Sequence, residues 1–147
     1  MSGGEPARYV SRGGIKLAHA LDEFAFDVRG WKCADFGCNI GGFTDCLLQR
    51  GAERVVALDT GYGALAWKLR QDPRGVVQER TNALHAEPPA IDDRVDLVVI
   101  DMGWTPQRLC VPAALRWLKP NGRLVSLIKP HYEVKADEKS LLRGGVL

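Results

Sequence analysis

Lys32-Cys33-Ala34-Asp35-Phe36-Gly37-Cys38-Asn39-Ile40-Gly41-Gly42-Phe43-Thr44-Asp45 is the stretch that decides the fold of this chain. A short apolar run meets a glycine, passes three residues to a glycine pair, and continues into an amphipathic segment. That pattern predicts a strand, a tight turn and a helix. Glycine belongs where backbone turns with positive φ or approaches a ligand closely. The opening helix directs its free N–H groups at whatever occupies the turn. Further on, Asp59 closes a second apolar run, Arg54-Val55-Val56-Ala57-Leu58. An acid at that point can accept hydrogen bonds from the two hydroxyls of a ribose. Together the turn and the acid predict a cofactor that contains a nucleoside.

The glycine spacing narrows the choice. A dinucleotide turn requires G-x-G-x-x-G, which brings backbone against a pyrophosphate. Here Gly37 is followed by Gly41 and Gly42, and position 39 is Asn. The looser turn suits S-adenosylmethionine, which has no pyrophosphate, and makes an NAD-dependent dehydrogenase the poorest fit.

Working outward, apolar runs predict five strands near 32–37, 54–59, 75–80, 95–101 and 122–128. Helical spacing of Ile15, Leu17, Ala18, Leu21 and Phe24 predicts a helix over 14–25. Further helices are predicted from Gly42 to Arg50, closed by Gly51, and from Gly63 to Arg70, stopped before Pro73. A last one spans about 106–118, with Pro112 kinking it or moving its start to Cys110. Residues 83–94, with Pro88-Pro89, read as a loop. Alternating strands and helices imply an α/β, Rossmann-like, doubly wound and mainly parallel sheet of about five strands, in the order 3-2-1-4-5. Residues 1–8 read as a flexible tail and 9–147 as one domain.

Composition sets bounds. With 46% apolar residues the chain can build a core, and a net charge of +2 permits nucleic-acid binding without arguing for it. Cys33, Cys38, Cys46 and Cys110 form no C-x-x-C pair, so reduced thiols and no metal site are expected. No run approaches membrane-spanning length and no signal-peptide pattern opens the chain, so a cytoplasmic location is expected.

In a doubly wound sheet, ligands bind beyond the carboxyl ends of the strands. Polar residues of unusual type collect there: Gly37, Asp59, Asn82, Asp101 and Lys129 follow the five runs in turn. Asp101 and Lys129 are expected to be neighbours. Lys16 lies near a helix N-terminus, where the dipole disfavours a cation, so a functional reason for it is expected. Two ammonium groups sharing a cleft favour loss of a proton from one of them, and a carboxylate can hold the other in place. Such a lysine can take a proton from an alcohol.

Several motifs in order carry a family resemblance. Tyr9-Val10-Ser11-Arg12-Gly13-Gly14-x-Lys16-Leu17 resembles the entry to the methyltransferase domain of hemolysin-type, TlyA-like rRNA 2′-O-methyltransferases, within the wider FtsJ-like group. Asp35-x-Gly37-x-x-x-Gly41-Gly42-Phe43-Thr44-Asp45 is similar to their cofactor loop. Asp59-x-Gly61-Tyr62-Gly63-x-Leu65, Glu79-Arg80-Thr81-Asn82 and Leu127-Ile128-Lys129-Pro130-x-x-Glu133 are similar too. The resemblance implies S-adenosylmethionine as cofactor and RNA, ribosomal in particular, as substrate. It implies that Gly37, Gly41, Gly42 and Phe43 surround the methionine part and that Asp35 and Cys38 also belong to the cofactor site. Asp59 would meet the ribose, Asn82 the adenine edge, and Asp101 the cofactor as well. Lys16, Asp101 and Lys129 match three members of a Lys–Asp–Lys–Glu catalytic tetrad.

The sequence also departs from the family. Residues 1–8 are too short for the S4 RNA-binding domain, and the expected domain lacks the last strands and the tetrad glutamate. Met102-Gly103-Trp104 stands where Val-Ser-Phe is usual, and Leu84 where Arg is usual. Two other readings follow: a cofactor-binding or RNA-associated module with impaired catalysis, and a methyltransferase acting on a small molecule or protein. Arg8, Arg12, Lys135 and Lys139 are the expected RNA contacts.

Overall fold

The computed structural model describes residues 8–133. Most of the expected tail, residues 1–7, and the candidate RNA contacts Lys135 and Lys139 lie outside the described residues. Five strands, β1 (Lys32–Phe36), β2 (Arg54–Leu58), β3 (Gly75–Gln78), β4 (Val95–Ile100) and β5 (Leu118–Ser126), form one sheet. Their order is β3-β2-β1-β4-β5, with every pair parallel. The helices are α1 (Arg12–Glu23), α2 (Gly42–Gln49), α3 (Trp67–Arg70), α4 (Gln107–Leu115) and α5 (Pro130–Glu133).

Alternation along the strands divides the core in two. Cys33, Val55, Leu97, Val99 and Val125 point to one face and meet Leu17 and Leu21 of α1, Leu47 of α2 and Leu69 of α3. Ala34, Phe36, Val56, Val98 and Ile100 point to the other, against Cys110 and Ala114 of α4 and Trp117. Between β3 and β4 there is no long helix. Ala83, Leu84 and Ala86 pack on the second face instead, and a short 3-10 turn at Ile91–Asp93 leads into β4. Strands buried on both faces read as continuous apolar runs, which is why β1, β2 and β4 stand out in the sequence.

Three elements differ from the sequence reading. α3 is one turn, not a helix from Gly63, because Gly63 takes φ 78° and its N–H is bound by the Glu79 carboxylate. The strand expected over 122–128 begins at Leu118 and ends at Ser126, with a register break. Leu118 pairs Val95 and Arg123 pairs Leu97, so Lys119-Pro120-Asn121-Gly122 bulges out between the paired residues. Pro120 has no N–H for a ladder, and Asn121 takes φ 66°. α4 covers Gln107–Leu115, starting near the expected 106 but stopping short of 118; it runs through Pro112, so the alternative start at Cys110 does not hold.

The N-terminal entry is tied to the sheet through α2. Asp45 is buried and accepts a hydrogen bond from the Val10 N–H at 2.8 Å. A Cβ on Gly42 would strike Ser11 Oγ, and one on Gly14 would strike the Tyr9 ring. Small residues thus let the starts of α1 and α2 meet in close contact.

Candidate active site

A cleft of about 390 Å³ opens at the carboxyl ends of β1, β2 and β4 and beyond the ends of β3 and β5. Gly37, Asp59, Asn82, Asp101 and Lys129, one residue from beyond each strand, all line it. A volume of this order holds a small-molecule cofactor. The parallel register puts the strand ends side by side: Phe36 is level with Leu58 and with Ile100, and Ile100 with Ser126.

Asp59 anchors one side. Its Oδ2 accepts the Asn39 N–H at 2.6 Å and its Oδ1 accepts the Gly61 N–H at 2.8 Å. The carboxylate therefore locks the β1 turn to the β2 turn at the cleft wall. Asn82 forms a local turn, its Oδ1 accepting the Leu84 N–H at 3.0 Å. Glu79, between Asp59 and Asn82 along the sheet edge, accepts from the Gly63 N–H and the Arg70 guanidinium. The Arg70 contact is the chief reason its carboxyl lies below the usual range. This strut holds the 61–66 segment in place.

Asp101 and Lys129 form the other side. Lys129 Nζ lies 2.6 Å from Asp101 Oδ1. Oδ1 is nevertheless buried without an aligned hydrogen-bond donor, so the contact is an ion pair rather than a directed hydrogen bond. The Asp101 N–H continues the β1–β4 ladder by donating to the Phe36 carbonyl at 3.0 Å, which fixes its backbone. A short-range ion pair of this kind orients an amine without removing it from solvent reach, since both side chains remain partly exposed.

The remaining sequence-predicted residues do not line the cleft. Asp35 is fully buried, with Oδ2 accepting the Thr44 hydroxyl at 2.7 Å and Oδ1 without a hydrogen-bond partner. Burial pushes its carboxyl up to about 7, against the Thr44 hydrogen bond and with help from the Asp101 charge. Cys38 and Phe43 are buried and do not line the cleft, and burial pushes the Cys38 thiol up to about 12. Gly41, at φ 108°, faces Leu65 and Leu69, and Gly42 faces α1. Close packing leaves no room for a side chain at either position. Lys16 is exposed in α1, on the helix layer toward which Asp101 points by alternation, and does not line the cleft. Among the described residues it makes no hydrogen bond or ion pair.

Among the wall residues that sequence reasoning did not assign to the site are Trp104 and Thr81. Trp104 is exposed at φ 61°, an unusual backbone state for so large a side chain, and lines the cleft beside Met102 and Gly103. Its place three residues after Asp101 was the available signal. Thr81 also lines the cleft; its N–H donates to the Asp59 carbonyl.

The donor set fits a nucleoside cofactor. A carboxylate stands at the end of β2, an amide beyond β3, and a turn without a side chain at Gly37.

Comparison with known proteins agrees with this arrangement. A TlyA protein of Mycobacterium tuberculosis, named a 16S/23S rRNA (cytidine-2′-O)-methyltransferase, is 51% identical over 126 residues, covering 86% of this chain and 47% of that protein. Hemolysin A of Brachyspira hyodysenteriae is 38% identical over 141 residues, covering 95% of this chain and 58% of the relative. A solved hemolysin-type structure from Streptococcus thermophilus superposes with a TM-score of 0.86 at 39% identity, over 97% of this chain and 51% of that one. The chain thus spans about half the length of these relatives. No helix among the described residues is long and apolar enough to cross a membrane. Residues 9–147 match the FtsJ-like methyltransferase family, and the chain belongs to it.

Proposed function

We propose that this chain forms the S-adenosylmethionine-dependent catalytic domain of an RNA 2′-O-methyltransferase, acting on ribosomal RNA in the cytoplasm. The observation that carries the reading is the Lys129–Asp101 ion pair, 2.6 Å long, in the same cleft as Asp59. The name of the M. tuberculosis relative supports ribosomal RNA and the ribose hydroxyl as the target.

The bound cofactor would supply an electrophilic methyl group on a sulfonium centre. Asp59 would accept hydrogen bonds from the ribose hydroxyls, as a carboxylate at the end of a second strand can. Asn82 would meet the base edge, and Gly37 leaves the backbone open to close approach. At the other side, Lys129 Nζ in its neutral form would take the proton of the RNA 2′-hydroxyl. Asp101 would hold that nitrogen in line and stabilise the ammonium that results. A ribose hydroxyl is a weak nucleophile, so orientation and proton removal supply much of the help. Lys16, on the same face of the sheet, and exposed Arg8 and Arg12 would contact RNA phosphates, with Lys16 closing on the pair once RNA is bound.

One observation favours a second reading, a cofactor-binding module without turnover: Lys16 does not line the cleft. Calorimetric titration with S-adenosylmethionine, followed by methyl transfer to purified ribosomal subunits, separates the two. Binding with transfer supports the enzyme; binding with no transfer to any subunit supports the module.

A further inference from the structure

We infer that Glu133 is a positioning residue for Lys129, because it ties the loop after β5 to the first turn of α4. The inference rests on the reading of Lys129 as the proton acceptor. The opening turn of α4 needs a partner: Pro106 occupies its N-cap position and no side-chain cap is present. Helix-opening N–H groups have no partner within the helix, and a carboxylate suits both the hydrogen bond and the dipole there. Glu133 supplies it from 26 positions along the chain, its Oε1 and Oε2 accepting the Gln107 N–H at 2.9 and 3.2 Å.

The side chain of Gln107 works in the opposite direction along the chain. Ser126 Oγ donates to its Oε1 at 2.5 Å, and its Nε2 donates to the Leu127 carbonyl at 3.4 Å. One residue therefore holds the chain on both sides of Lys129, through Ser126 and Leu127 before it and Glu133 after it. The Leu127 N–H also donates to the Ile100 carbonyl at 2.9 Å, one residue before Asp101. The loop that carries Asp101 runs straight on into α4, whose first residue is Gln107. The loops that carry the acid and the amine thus close on a single node, and Glu133 supplies the carboxylate that completes it. Released at Glu133, the chain around Lys129 would lose the tie to α4 on its C-terminal side and keep the one through Ser126 and Leu127. A long flexible side chain on a loose backbone loses the alignment that proton transfer needs.

The test compares Glu133→Ala and Glu133→Gln in the full chain. In Glu133→Ala the affinity for S-adenosylmethionine and the KM for ribosomal subunits stay at wild-type values, while kcat falls about 10- to 100-fold. Glu133→Gln, whose amide oxygen still accepts from Gln107, recovers most of kcat. Amide hydrogen exchange gives a readout independent of turnover. In Glu133→Ala exchange quickens at Gln107 and across 127–129, and in Glu133→Gln it does not. Wild-type kcat in Glu133→Ala overturns the inference, and so does a matching loss of cofactor affinity, which marks a general structural role. If the wild-type chain itself transfers no methyl group, the proposed function fails, and exchange alone decides: unchanged protection across 127–129 in Glu133→Ala overturns the tie.

Discussion

The place where a Cβ would stand on Gly37 lies 2.5 Å from the backbone carbonyl oxygen of Asp101. Gly37 also has φ 82°, in the left-handed region. The turn after β1 and the residue after β4 are therefore packed against each other with no room for a side chain. Gly37→Ala must strain its own backbone and displace the Asp101 loop. A non-glycine residue held in that region costs about 1–3 kcal/mol, before the steric conflict is added. Urea denaturation of the variant should show a loss at least that large. Wild-type stability would mean that the loop yields freely.

Asp35 predicts an unusual pH dependence of stability. Its carboxyl is pushed from 3.8 up to about 7, chiefly by burial, so the folded chain keeps a proton that the unfolded chain has released. Between those two values the folded state binds more protons, and stability falls as pH rises. The contribution is full below the lower value and gone above the upper one. Thermal melts from about pH 5 to pH 8 should show the wild type losing stability relative to Asp35→Asn, which cannot ionise. Parallel curves for the two proteins would contradict the assignment.

Cofactor binding is tested at Asp59. Both of its oxygens already bind loop N–H groups, so its removal loosens the turn as well as the proposed ribose contact. Charge-assisted hydrogen bonds contribute ~1.5–3 kcal/mol, so Asp59→Ala should weaken S-adenosylmethionine binding by about tenfold to over a hundredfold. Calorimetric titration measures this. Equal affinity in variant and wild type would remove Asp59 from the site.

These tests fall on residues that differ in how far the sequence revealed them. Strand ends were readable, because β1, β2 and β4 are apolar on both faces and stop at a glycine or an acid. The polar residue beyond each strand followed from the same reading, and all five line one cleft. The close packing beside Gly41 and Gly42 was not readable. The glycine pair looks alike whether it faces a ligand or a helix, and only the fold shows Leu65, Leu69 and Ser11 in the space beside it. The start of β5 was hidden because Pro120-Asn121-Gly122 carries every mark of a turn, whereas it forms a bulge inside the strand. Glu133 gave a motif without a purpose, since its partner Gln107 lies 26 positions away.

The central claim is that Lys129, held by Asp101, serves the acceptor hydroxyl and not the cofactor. Lys129→Ala measured by methyl transfer to ribosomal subunits, alongside cofactor titration, tests it most directly. S-adenosylmethionine affinity should stay at the wild-type value while the transfer rate falls by ~10²–10⁴, the scale of a positioned proton-transfer group. A variant that transfers methyl groups at the wild-type rate, or that loses transfer only because it no longer binds the cofactor, would contradict the claim.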